Sequence, residues 1–245
     1  MRKILLAAGA LLLALSLHAE DSKSSYSITT DFTYVSEYIF RGIEQQDQAF
    51  QPSVTFIQDT LTLGVWTSQG INNQNLVWAQ GSEIDLTGSY GIPFGEKYTF
   101  LVGGTYYWYP SARDSLGEPG YTWELSGGVA GPVGPLTGSA TYFHDFKLKA
   151  NTFEFTLAYS VPLSNQNSTL DVSAGYGFND IGDGNGGLPG ESGYDYRYYH
   201  AHATYGYKLT PATTLKIGLH FVDVSKLAGA PGANLWFSVG LTAGL

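Results

Sequence analysis

The chain has 245 residues, no cysteine and only 13% charged side chains, against 15% aromatics, with 31 glycines and 18 tyrosines. Without cysteine there is neither a disulfide framework nor a thiolate metal site, and a formal net charge of −9 repels nucleic acid. The charged fraction is about half that of ordinary soluble domains. That is too little to cover a water-facing surface, but it suits an exterior that meets lipid.

Residues 1–19 read as a signal peptide. Arg2 and Lys3 are basic, Ile4 to Leu17 form an apolar run, and Ala19 is the small residue before the cut. The run is too short for a comfortable transmembrane helix. Export is the expectation, with residues 20–245 as one mature domain. Losing the two basic residues leaves ten Lys and Arg against 21 Asp and Glu, a balance of −11.

No stretch of about twenty apolar residues follows Ala19, so no helical span is expected. Alternation takes its place. Phe153, Phe155 and Leu157 are apolar at every second position, as are Leu170 and Val172, and Phe237, Val239 and Leu241. Period two puts alternate side chains on opposite faces of a sheet. Twelve such segments are predicted, at 26–40, 50–57, 61–68, 80–90, 98–109, 121–131, 136–146, 152–161, 169–178, 196–207, 214–224 and 234–245. Short turns alternate with mostly longer loops, the outer-membrane rhythm, and an even count leaves both termini on the short-turn, periplasmic side. Nine of the ten prolines fall in turns, loops or strand ends; Pro52 is the exception, expected near a loop end or at a bulge. The fold class is therefore all-β: a closed antiparallel transmembrane barrel of about twelve strands, since inside a bilayer a sheet must close to pair its backbone groups. A soluble β-sandwich or closed barrel also alternates, but fits the strand length and the scarcity of lysine on the polar face poorly. Tyr106 to Tyr109 and Tyr194 to Tyr199 are read as interfacial girdles.

The residues after the first strand carry a resemblance. Ser36, Tyr38, the Arg41-Gly42 pair and the glutamines that follow, then Trp66, the Glu83-Ile84-Asp85 strand start, Tyr109-Pro110 and Glu124, resemble in order the motifs of the TorF-type porin family. The likeness covers most of the mature chain and thins after about residue 178; the glycine-rich loop from Asp180 to Gly193 is particular to this chain. It implies a bacterial outer-membrane barrel, and says less about any solute. The final strand alternates to Leu245, similar to a barrel-assembly signal except that such signals often end in an aromatic residue. Outer-membrane lipid and the barrel-assembly machinery are the expected partners.

The polar face supplies the candidate pore lining: Asp31, Glu37, Glu83, Asp85, Glu124, Asp145, Glu154, Asp171, His200, His202 and Lys216. Six of the carboxylates lie toward the loop end, and acidic rings favour cations in a narrow polar channel. The bland reading is that they pair with Arg41, Lys147, Lys149 or a histidine and brace the wall. His200 and His202 share a face and could hold a metal with Asp145 or Glu154, but further ligands are not placed by sequence, so no metal or other cofactor is assigned. The loop Asp180 to Gly187 lacks calcium-loop spacing, and His144-Asp145 has no serine signature beside it. The expectation is a pore passing small hydrophilic solutes, weakly cation-preferring and not an enzyme. A barrel filled by side chains, with a structural or surface-binding role, is the alternative, and a barrel enzyme the distant third. Twelve strands lie between packed small barrels and wide channels.

Overall fold

The computed structural model describes residues 26–71, 82–113, 119–181, 194–225 and 233–244. The signal-peptide reading and most of the Asp180–Gly193 loop lie outside them. Fourteen strands are present: β1 (Tyr26–Val35), β2 (Tyr38–Phe40), β3 (Ile43–Gln46), β4 (Ala49–Gln58), β5 (Leu61–Gly70), β6 (Ser82–Phe94), β7 (Tyr98–Arg113), β8 (Pro119–Val133), β9 (Leu136–Asp145), β10 (Ala150–Val161), β11 (Ser168–Ile181), β12 (Tyr194–Lys208), β13 (Thr213–Ser225) and β14 (Asn234–Gly244). Twelve of them close a barrel, each antiparallel to its chain neighbour, and β1 seals against β14; β2 and β3 form a separate two-stranded sheet. The wall strands run from 10 to 16 residues, long enough to cross a bilayer at a tilt.

Alternation sorts the faces as expected. On β10, Phe153, Phe155 and Leu157 are exposed on the exterior, while Thr152 is buried inside. Cross-strand partners share a face, so the registers carry this assignment around the barrel. Glu154 opposes Gly177, Gly177 opposes Tyr198, and Tyr198 opposes Val224. The start of β1 and the end of β14 lie at the same rim as the short turns, since Tyr26 pairs with Gln58 and Thr29 with Gly244. The connection between β9 and β10 departs from the rhythm: it is a tight turn at the loop rim, closed by Asp145, which accepts the backbone N–H groups of Lys147 and Leu148 at 2.9 and 2.7 Å. Pro52 sits within β4, three residues from its loop end. There the β4–β5 pairing skips Gln51 and Pro52, so the missing N–H interrupts the ladder locally.

Two expectations are corrected. The first wall strand ends at Val35, not residue 40. Ser36 and Glu37 bend, and Tyr38-Ile39-Phe40 turns back on β3 as a hairpin. Arg41 and Gly42 both have positive φ, 48° and 84°, as a two-residue primed turn requires. The bend is tied to the wall by Ser36, whose N–H reaches Phe237 O at 2.9 Å and whose hydroxyl accepts the Phe237 N–H at 3.0 Å. Period-two alternation lapses at Val35, at Ser36 and in the run Tyr38-Ile39-Phe40, but the lapse does not say that the chain folds back as a hairpin.

The second correction concerns the girdles. Tyr106, Trp108 and Tyr199 are exposed on the exterior, but Tyr107, Tyr196 and Tyr198 are buried inside the barrel. Consecutive tyrosines on a strand must divide between the faces. An interior apolar core results: Ala150, Tyr196, Tyr198, Val222 and Trp236 from the wall, with Ile39 and Ile43 of the hairpin packed against them.

Candidate pore lumen and its hairpin plug

The β2–β3 hairpin lies inside the barrel at the loop rim. Its tip spans the lumen. Arg41 donates to both carboxylate oxygens of Glu124 on β8, at 2.9 and 3.0 Å, and its guanidinium lies over the rings of Phe40 and Phe143. Tyr107 donates to the same carboxylate at 2.9 Å. A bidentate, buried pair of this kind is shielded from solvent screening and gives the hairpin one orientation. Gly42 packs against β12 and β13, where an added Cβ would lie 2.7 Å from Val224 Cγ2 and 3.0 Å from Tyr198 Cβ. At the hairpin's other edge Tyr38 packs on Trp66, Gln46 accepts from Ser68 at 2.5 Å, and Gln51 donates to Ser68 at 3.2 Å.

The motif residues thus acquire a shared role. Ser36 marks where the chain leaves the wall, Tyr38, Arg41 and Gly42 form the plug, and Trp66, Tyr109 and Glu124 receive it. Tyr38 and Tyr109 direct their hydroxyls at Glu83. Pro110 follows Tyr109 where the β7–β8 register breaks. Glu37 belongs to the bend rather than the pore wall, so its expected place among the lining residues is corrected. Burial pushes its carboxyl above the ordinary value, and nearby Asp47 adds to this. Glu44 on β3 is raised in the same way, by burial first and then by Glu37 and Asp47.

The remaining predicted lining residues all face the lumen, but most are partnered. Glu83 and Asp85 sit together on β6 beside the plug. Asp145 accepts from Thr122 at 2.6 Å, Glu154 from Tyr198 at 2.6 Å, and Asp171 from Ser160 at 2.6 Å. Asp31 pairs with Lys216 at 3.2 Å and accepts from Thr242 and Thr33. The acidic loop end is therefore not an open vestibule. Exposure falls to 2% at Glu83, 3% at Glu124 and 1% at Tyr196. Toward the turn rim the lining changes to half-buried Thr29, Ser53, Thr55, Thr87, Thr105, Ser126, Thr141 and Thr204. The lumen is thus packed at the loop end, while toward the turn rim it is lined by small residues, half-buried at these positions and buried at Thr99, Ala130 and Thr242.

His200 and His202 share the inward face, as expected, and a third histidine joins them. His220 on β13 lies directly opposite His202. Sequence reasoning missed it: alternation places His220 on the Lys216 face, but its register against β12 is a tertiary fact. Among the described residues no three His, Asp or Glu side chains converge as a metal centre would require. The rings of Tyr198 and His200 lie against Gly177 and Gly175, where a Cβ would approach within 2.0 and 2.2 Å.

A closed twelve-stranded barrel with an apolar exterior and a polar, partly filled interior defines an outer-membrane β-barrel protein. Solved structures share the fold. The NanC porin aligns with a TM-score of 0.53 at 10% identity, covering 88% of this chain and 98% of that one. LpxR from Salmonella typhimurium aligns at 0.50 and 10% identity, covering 89% and 99%. No curated protein is similar enough in sequence to match. The chain belongs to the Gcw_chp family, described as bacterial protein of unknown function, whose model matches residues 19–230.

Proposed function

We propose that this protein is a non-enzymatic channel of the bacterial outer membrane, passing small hydrophilic solutes through a lumen that the β2–β3 hairpin narrows from the outside. Residues 1–19 serve export, the barrel-assembly machinery inserts the domain, the turn rim faces the periplasm and the loop rim the exterior. The TorF-type porins are the relatives this reading favours within the family. The observation that carries it is the hydroxyl-lined, half-buried lumen wall toward the turn rim. A barrel serving only as a rigid body has no need of a wettable interior. The filled outer half favours the second reading, a side-chain-packed barrel with a structural or surface-binding role.

The channel should prefer cations weakly. Arg41 cancels Glu124 and Lys216 cancels Asp31, while Asp145, Glu154 and Asp171 are held by hydroxyls and backbone N–H groups and form no ion pair with Lys or Arg among the described residues. Purified protein in a planar bilayer tests both points. Discrete conductance steps, with a reversal potential favouring cations more strongly at 0.1 M than at 1 M salt, are expected, since the Debye length falls from about 10 Å to about 3 Å. Glu154→Gln with Asp171→Asn should lower the preference. A silent bilayer with folded protein supports the packed barrel, and anion preference refutes the selectivity.

A further inference from the structure

The three lumen histidines form one unbroken chain beneath the plug. His200 Nδ1 lies 3.1 Å from His202 Nε2, and His202 Nδ1 lies 3.0 Å from His220 Nδ1. His220 Nε2 meets Ser238 Oγ at 2.8 Å, while His200 Nε2, at the other end, is buried and makes no hydrogen bond. The chain is coupled to the hairpin through its neighbours. Trp236 stacks on His220 at 5.3 Å and meets His202 edge-on at 6.1 Å, and Tyr198 lies 6.1 Å from His200. Trp236 and Tyr198 belong to the cluster on which Ile39 and Ile43 pack, and Tyr198 also supports Gly42.

Proton counting limits what this chain can carry. A neutral imidazole has one N–H and an imidazolium two. Each N···N contact is a hydrogen bond only if a single proton lies in it. Two such links and two free ends hold at most four N–H groups over three rings, which is one net positive charge. A second excess proton sets two N–H groups face to face in a link and breaks it. We propose that the His200–His202–His220 chain is an acid-sensitive lock, which splits on multiple protonation, displaces Trp236 and Tyr198, and releases the β2–β3 hairpin from the lumen. Only its consequence, opening of the pore in acid, rests on the channel reading.

The surrounding charges define the balance. Glu154 on β10, bonded to Tyr198, is the carboxylate that faces His200. Ser173 and Gly175 on β11, and Trp236 and Ser238 on β14, carry no charge. Lys216 follows His220's face down β13 but is paired with Asp31 on β1. On the hairpin Arg41 is engaged by Glu124, and Glu37, Glu44 and Asp47 form an acidic group at its base. Protonating that group relieves repulsion and favours docking in acid, opposite to the lock, so the sign of the response discriminates between them.

A cysteine at Ser68 reads docking directly, because that side chain is wholly covered and bonded to Gln46, and the chain has no cysteine of its own. The probe is a small hydrophilic maleimide, its rate at each pH divided by that of a Glu96→Cys protein, in an exposed turn. The ratio should rise about tenfold or more from pH 8 to pH 3.5, and His202→Gln, which interrupts both links, should abolish the rise. His220→Gln, which leaves the His200–His202 link, should weaken it, and serves alone if His202→Gln does not fold. An unchanged ratio, a ratio that falls in acid, or a full rise in the folded histidine variants overturns the lock. Conductance of the same preparations separates the two readings. A pH-dependent thiol with a silent bilayer keeps the lock and rejects the channel; conductance without a thiol response does the reverse.

Discussion

Arg41 is the residue on which the interior turns. It occupies a left-handed backbone conformation uncommon outside glycine, at φ 48°, and holds it because the guanidinium is fixed at both ends of its fork by Glu124 and faced by Phe40 and Phe143. Removing one partner of a buried pair strands the other, which costs about 3–5 kcal/mol. Arg41→Ala should therefore undock the hairpin without unfolding the wall, whose ladders it does not join. In a bilayer the expected outcome is larger or longer openings, with an unchanged β-sheet spectrum. A variant with wild-type conductance would remove Arg41 from any gating role. The arginine was legible from sequence as part of a motif; its partner was not. Arg41 and Glu124 are 83 residues apart, and nothing local specifies that they meet across a lumen.

At the scale of single strands, alternation did most of the work. Val172 pairs with Tyr159 and Ala203 on the exterior, while Ser173 pairs with His202 inside. A cation on the lipid face near the bilayer midplane costs roughly 2–4 kcal/mol. Val172→Arg should accordingly lose folded protein in urea titration or in outer-membrane yield, and Ser173→Arg should lose less. Equal losses would mean that the exterior of β11 does not meet lipid. The β2–β3 hairpin is where the same rule runs out. Tyr38-Ile39-Phe40 is an unbroken apolar run that suits a hairpin as well as a wall strand, and period two measures which side a residue faces, not which sheet it belongs to. The same limit explains the aromatic runs. Tyr196 and Tyr198 were legible as strand residues of one parity, but tyrosine suits both a headgroup girdle and a packed interior.

For the whole molecule, topology makes a direct prediction. Epitope tags at Gly134, in the β8–β9 turn, should stay hidden from antibody on intact cells, whereas a tag at Gly184, in the connection between β11 and β12, should be reached. Labelling of Gly134 would invert the assigned orientation. The sequence by itself determined the class of fold, the number of wall strands within the described residues, the common rim of the first strand's start and the last strand's end, and the facing of the wall. It did so because a bilayer imposes one repeat on every strand, so each segment reports the same rule locally. Only the tertiary structure decided what fills the lumen. The plug, its salt bridge to Glu124, the pairing of Asp31 with Lys216 and the meeting of His220 with His202 depend on cross-strand register and on where one short hairpin folds back. Those are contacts between distant positions, and no periodicity along the chain encodes them.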